Sequence, residues 1–361
     1  MKKRRILAIV LAVVMTAGLA ACAGDGGATP TPAAPTAPDT SAAGQPAGDV
    51  GAFEGLDPIT INFAHVVSVN SPKGWGAERF RELMEERTGG LVTVHVFPDS
   101  QMGTDREITE QMMMDVLHMN APLTSVLTFI IPEFEVFDLP YLFDSREMAF
   151  DAVHGSFGAE FDELIAQNSM VNLGWWMGEF MQIANNVRPL YTVEDLAGLQ
   201  LRVSQSPILL ARMEAVANAV SIPFAEVYSA LQTGVADGLD NPLTNIVNRS
   251  FYEVADYVAI MDLSVVMYPV LMSRGMYDSL PDPVRELVHE VLAEIAAEQW
   301  VVSLESEMGY IGYLESAGVT ITYWSAEERA RLLEAMSPAF DVFVNNVERG
   351  EHLLQILENY R

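Results

Sequence analysis

The sequence predicts an α/β fold with mixed sheets, divided into two lobes. Three observations carry this expectation. Short alternating apolar runs rich in Val, Ile and Phe recur between longer runs with helical spacing, as strands interleaved with helices require. Helix-start signals of the Ser/Thr-x-x-Asp/Glu type precede several of the helical runs. The chain from Phe53 onward, roughly 310 residues, exceeds what one hydrophobic core usually serves.

At the N-terminus, Lys2-Lys3-Arg4-Arg5 followed by the apolar run Ile6 to Ala17 predicts a secretory signal peptide over 1–21. Leu19-Ala20-Ala21-Cys22 has the form of a bacterial lipobox, so cleavage before Cys22 and lipidation of its sulfur are expected. Cys22 is the only cysteine, so it cannot form an internal disulfide and leaves no thiol for catalysis elsewhere. Residues 23–50 are almost wholly Gly, Ala, Pro, Thr, Asp, Ser and Gln, with no aromatic before Phe53. Such a segment buries too little apolar surface to offset its ordering entropy, so 22–52 reads as a lipidated Cys on a disordered tether. A flexible chain of that length spans on the order of 30 Å. No later stretch offers 18 uninterrupted apolar residues, so the lipid is the expected membrane contact.

Within the expected solute-sized domain, 53–361, Ile59, Ile61 and Phe63 alternate as a strand and Ser71 to Arg87 reads as a helix. Thr88-Gly89-Gly90 breaks it before a second strand over Leu91 to Phe97. Thr104 with Glu107 forms a capping box for a helix over Thr104 to Asp115. Thr192 to Asp195 is a weaker version that leads into a strand carrying Arg202. After Pro283 a long helix carries Val284, Leu287, Val288, Val291, Leu292 and Ile295 on one face. Gly318 ends it, Val319 to Trp324 is a strand, and Ser325 with Glu328 caps one last helix bearing Leu332, Leu333 and Met336.

The formal charge is −29, and loss of the four basic residues before Cys22 leaves 16 Lys+Arg against 49 Asp+Glu. A nucleic-acid partner, which needs a basic face, is therefore not expected. A buried Arg in a cleft can still attract an anion, because screening limits the global field to about 8 Å. Enzyme signatures are missing: no Gly-x-Ser-x-Gly elbow, His-Glu-x-x-His or phosphate-binding loop occurs, and the six His are scattered. Asp237 and Asp240 invite comparison with paired catalytic carboxylates, but they sit in a turn whose Asn and Pro suit binding better. No catalysis and no cofactor are expected.

The densest information lies in Leu231-Gln232-Thr233-Gly234-Val235-Ala236-Asp237-Gly238-Leu239-Asp240-Asn241-Pro242, preceded by Phe224-Ala225-Glu226-Val227-Tyr228. Upstream stand Gly198-Leu199-Gln200-Leu201-Arg202-Val203, Phe137-Asp138-Leu139-Pro140-Tyr141-Leu142-Phe143, and Phe97-Pro98-Asp99-Ser100-Gln101-Met102-Gly103 with Glu107. In order and spacing these resemble the solute-binding subunit of tripartite ATP-independent periplasmic (TRAP) transporters, the DctP type. The resemblance implies a two-lobe periplasmic-binding-protein-like fold with a central cleft and a long bridging helix. Lobe I would take roughly 57–180 plus 265–285, and lobe II roughly 181–264 plus parts of 286–361. It further implies capture of a small organic-acid anion outside the membrane and delivery to the transporter's membrane subunits. Two other readings stay open: a ligand-sensing lipoprotein serving a membrane receptor kinase, and a lipoprotein feeding an ATP-driven importer.

The resemblance implies that Arg202 clamps a carboxylate, for which its planar fork is suited, and that Asn241 helps orient it. Phe224 would pack against the ligand body. His65, at the end of the first strand, and Asp105, beside the Gln101-Met102-Gly103 turn, are further candidates. Relatives of this type often place a second Arg in a Gly-x-Arg pattern before an Asn-x-Arg-Pro-like segment. Gly178-Glu179-Phe180-Met181-Gln182 holds none. Trp175, Trp176, Met177, Phe180 and Met181 cluster there instead, so Met177, Phe180 and Gln182 join the candidate contacts. The expected ligand is then a monocarboxylate with an apolar or aromatic body.

Overall fold

The computed structural model describes residues 50–361. Cys22, the signal peptide and nearly all of the tether expected from the sequence lie outside the described residues. The strands, in chain order, are β1 (Ile59–Ala64), β2 (Val92–Phe97), β3 (Met119–Asn120) and β4 (Met170–Phe180). There follow β5 (Gln182–Asn185), β6 (Gln200–Val203), β7 (Asn218–Ser221), β8 (Gly238–Asn241), β9 (Tyr257–Ile260), β10 (Val265–Ser273) and β11 (Thr320–Tyr323). They form two sheets, ordered β2-β1-β3-β10-β4 and β11-β9-β5-β8-β6-β7. Both are mixed: β1 runs parallel to β2 and β3, while β10 is antiparallel to β3 and β4. In the second sheet β6 is parallel to β7 and β8, and β5 is antiparallel to β8 and β9.

The chain passes between the sheets at two adjacent places. Strand β4 of the first sheet is followed after Met181 by β5 of the second, and β9 returns to β10 through 261–264. The two crossings are tied together: the Met181 N–H donates to Ser264 O at 2.8 Å, and the Leu263 N–H donates to Met181 O at 3.0 Å. Gln182 fixes the second crossing. Its Oε1 accepts from the N–H groups of Met261 and Asp262 at 2.7 and 3.0 Å, and its Nε2 donates to Asp262 Oδ1 at 2.8 Å. Asp262 has φ +52°, a left-handed conformation that these bonds help hold.

The helix Asp282–Ser316 is the third link between the lobes. Val284, Leu287, Val288, Val291, Leu292 and Ile295 are buried against the first sheet and the helix Pro72–Arg87, while Tyr310 and Leu314 enter the core around β8 and β9. On the other face of the first sheet, Phe134, Phe137, Phe157, Phe161 and Trp175 form an aromatic core with centroid separations of 4.7 to 6.3 Å.

Local chemistry accounts for the helix starts. Ser71 caps Pro72–Arg87 by accepting from Gly74 N–H, and Thr104 and Glu107 form a reciprocal capping box at Asp105–Met113. The single last helix expected from the sequence is instead three helices, Ala326–Met336, Pro338–Asn346 and Gly350–Leu357. Pro338 has no N–H to continue the first, so it starts a new helix. The break lets Phe343 and Leu353 turn into the aromatic core.

Candidate functional site

A cavity opens between the sheets. From the second sheet come Arg202, Asn241, and the flanking Ser204, Phe224 and Asn245; from the first lobe come Lys73 and Asp105. Apolar walls are supplied by Val66, Val126, Met181 and Val266.

Arg202 sits near the end of β6, which emerges from a turn whose Gly198 has φ +80°. Registered between Val220 of β7 and Leu239 of β8, it is only 3% exposed. Its Nε donates to Ile222 O at 2.8 Å, while its two terminal nitrogens have no protein partner among the described residues. Burial lowers its pKa to about 10, and the nearby Asp240 carboxylate opposes that fall. The group therefore stays charged at neutral pH. A cation so desolvated, with two free donors in one plane, is built to receive a carboxylate.

Asn241 is the last residue of β8, held extended before Pro242. Its Oδ1 accepts from Asn245 Nδ2 at 2.8 Å, which leaves the Asn241 NH₂ as a donor at the cavity wall. Phe224 lines the cavity with its ring edge-on to Phe251 at 5.9 Å and beneath the Arg249 guanidinium at 5.4 Å. Asp105, first residue of its capped helix, is buried with one carboxyl oxygen unpartnered. Burial raises its pKa, and the positive charge of Lys73 works against that rise.

Lys73 was not legible as a site residue. A Lys in the first turn of a helix ordinarily points to water, yet here it is 3% exposed. Its Nζ donates to Ala121 O at 3.0 Å and stands 4.4 Å from the centroid of the Tyr268 ring. One sequence signal was available in Ser71-Pro72-Lys73-Gly74. A Cβ at Gly74 would lie 2.3 Å from Ser68 O, so the helix begins pressed against the preceding loop and carries Lys73 inward.

The structure thus brings Arg202, Asn241, Phe224 and Asp105 to one cavity, and it corrects four other expectations. His65 is fully buried behind the wall formed by Val66 and Val67, edge-on to Phe63 at 6.5 Å. Burial, with Lys73 adding to it, depresses its pKa to about 3, so it is a neutral interior group. Gln182 spends its amide on the crossing at 261–262. Met177 faces the aromatic core, and Phe180 lies under the Arg146 guanidinium at 4.6 Å. A register shift in the β4–β10 pairing between Met177 and Phe180 breaks the strand alternation, so both face the aromatic core and within 177–182 only Met181 lines the cavity. Trp175 and Trp176 are core residues too, Trp176 stacking on Phe63 at 6.0 Å. The aromatic ligand body expected from them loses its basis, and Lys73 supplies the second cation that expectation lacked.

A second buried charge network adjoins Arg202. Arg212, fully buried, pairs with Asp240 at 2.7 Å and donates to Asp138 O at 2.7 Å and to Ser264 Oγ at 3.2 Å. Asp138 accepts in turn from Ser125 Oγ, and burial pushes its carboxyl up to about 6. Arg212 therefore links a helix beside the second sheet to both the first lobe and the crossing.

Comparison with known proteins agrees with this architecture. The family model for bacterial extracellular solute-binding proteins, family 7 (DctP), matches residues 63–346. The C4-dicarboxylate-binding periplasmic protein DctP of Rhodobacter capsulatus is 33% identical over 294 residues, 81% of this chain and 88% of that protein. A TRAP periplasmic solute-binding protein from Sulfurospirillum deleyianum with bound succinate superposes with a TM-score of 0.80 at 30% identity, covering 85% of this chain and all of that one. The sugar acid binding protein DctPAm of Advenella mimigardefordensis, in complex with galactonate, gives 0.82 at 26% identity over the same share.

Proposed function

Since this chain belongs to the DctP family of bacterial extracellular solute-binding proteins, we propose that it captures a small organic-acid anion through Arg202 and delivers it to TRAP membrane subunits. It is an extracytoplasmic substrate-binding protein, not an enzyme. The observation that carries the reading is the Arg202 guanidinium, buried in the cavity with both terminal nitrogens free. The ligand carboxylate takes those two donors, and the Asn241 NH₂ supplies a third. The ligand body lies against Met181, Val126 and Phe224, and its far end meets Lys73 and Asp105. An acid with a second carboxylate or an oxygen-rich tail suits that end better than a wholly apolar one. Curated and solved relatives that bind C4-dicarboxylates and sugar acids support this choice.

Capture proceeds by closure of the lobes about the crossings at 181 and 261–264, which excludes water and strengthens the ion pair. Cys22 in its Leu-Ala-Ala-Cys setting is the proposed lipid anchor, a reading that rests on sequence alone.

Thermal-shift and calorimetric titration with succinate, galactonate, galacturonate and orotate, run beside Arg202→Ala, tests the proposal. The native chain should be stabilised by at least one acid, by about 2.7 kcal/mol at a hundredfold over its dissociation constant. Arg202→Ala should abolish the effect. A response that survives in Arg202→Ala would move the anion site elsewhere.

A further inference from the structure

A carboxylate bridges the two lobes beside the cavity. Glu179 lies on β4 of the first sheet, two residues before the crossing at Met181, and is 1% exposed. Both of its oxygens accept from Thr244: one from the backbone N–H at 2.9 Å, the other from the hydroxyl. Thr244 belongs to the segment that follows β8 in the second lobe, between Asn241 and Asn245 of the carboxylate site. A side cavity runs between them, lined by Glu179, Thr244, Gln299 and Ser303 and sharing Lys73, Asn245 and Tyr268 with the ligand cavity.

We propose that Glu179 is a positioning residue that latches the Asn241–Asn245 segment to the first lobe as the cleft closes, and that closing the latch takes up a proton. The inference rests on reading the Arg202 cavity as the ligand site. Glu179 touches no ligand; it acts through Thr244 on the residues that do.

The charges facing Glu179 set the sign. Glu307 and Tyr310 approach from the long helix, Arg146 from the helix Arg146–Val153, and Tyr268 from β10. Lys73 faces the shared side cavity, and Asp262, paired with Arg329 at 2.7 Å, acts on Glu307. Arg146 is already paired with Glu307, and Lys73 donates to Ala121 O rather than to Glu179. Burial first, then Glu307, lifts its carboxyl to about 7, against the opposing donors of Thr244 and the charge of Arg146. With the cleft open and the group hydrated, an ordinary Glu titrates near 4.3. Closure raises the affinity for a proton, so affinity for ligand is greatest at low pH and declines as pH rises through about 7.

The test is calorimetric titration of the full chain with the same four acids at pH 6 and pH 8. For native protein the association constant should fall about tenfold between these values, as one proton with a closed-state midpoint near 7 requires. Glu179→Gln, which like the protonated carboxyl accepts from the Thr244 N–H and donates to its hydroxyl, should bind with no such fall beyond the ligand's own ionisation. Glu179→Ala, which leaves Thr244 unpaired and has no proton to take up, should bind about tenfold more weakly than Glu179→Gln at both pH values. An equal pH slope in native and Glu179→Gln proteins would overturn the proton; native affinity in Glu179→Ala would overturn the latch. If none of the acids binds, the carboxylate reading of the cavity fails instead. The latch is then read in the free chain by hydrogen exchange at the Thr244 amide: a protection factor higher at pH 6 than at pH 8 in native protein, and the same at both in Glu179→Gln, supports it, and equal native protection at the two pH values overturns the proton.

Discussion

Charged residues withdrawn from water divide here by what satisfies them. Arg202 has one fixed partner at Nε and both terminal nitrogens free; Arg212 has both terminal nitrogens taken, by Asp240, Asp138 O and Ser264 Oγ, and only its Nε unpartnered. The first is therefore the proposed anion receptor and the second a structural tie. Replacing Arg212 by Ala strands the Asp240 carboxylate and should cost about 3 to 5 kcal/mol in guanidinium denaturation. The double variant Arg212→Met with Asp240→Leu should recover most of that loss, because neither member of the pair is then left buried without its partner. Loss of ligand binding with unchanged stability in Arg212→Ala would reverse the two roles. Sequence distinguished them only through the resemblance, since an Arg on a strand after a glycine and an Arg on a short apolar helix carry no local mark of burial. Lys73 was hidden for the same reason, and its inward path depends on the contact between Gly74 and the Ser68 carbonyl.

Elements governed by local rules were legible: strands by alternation, as at β1, β2 and β11, and helix starts by caps, as at Thr104, Thr192 and Ser325. The apolar stripe of the long helix was read residue by residue. Tertiary arrangement decided the rest. Which face of 177–182 meets the cavity depends on how β4 hands over to β5, and that turns on the pairing of Met181 with 263–264. The same handover makes Gln182 part of the crossing. Replacing Gln182 by Ala removes the acceptor for the Met261 and Asp262 amides and should cost about 2 to 3 kcal/mol. Hydrogen exchange localises the effect: the amides at 261 and 262 should lose protection before the strands on either side. Unchanged protection there would mean that the crossing is held by other contacts.

At the scale of the whole molecule, protons held in the interior set how stability varies with pH. Burial raises Glu135 and Glu179 to about 7 and Asp138 to about 6, each aided by a neighbouring carboxylate. Unfolded, such groups titrate near 4. Their contribution to stability is complete below about pH 4 and is lost as pH rises through 6 to 7. His65 acts in the opposite sense: depressed to about 3, it favours the folded chain above pH 6.5 and loses that contribution as pH falls. Three groups against one give a net release of stability with rising pH, and the formal charge of −29 adds self-repulsion in the same direction. With the cleft held closed by saturating ligand, the chain should therefore lose on the order of 2 kcal/mol between pH 5.5 and pH 8, discounting for the solvent that reaches Glu135. Denaturation curves at the two pH values measure it, and Glu179→Gln should flatten the difference by removing one of the three carboxyls. Greater stability at pH 8 would mean that these interior carboxyls are ionised in the folded protein. The proton on Glu179, and with it the pH dependence of closure, would then fall.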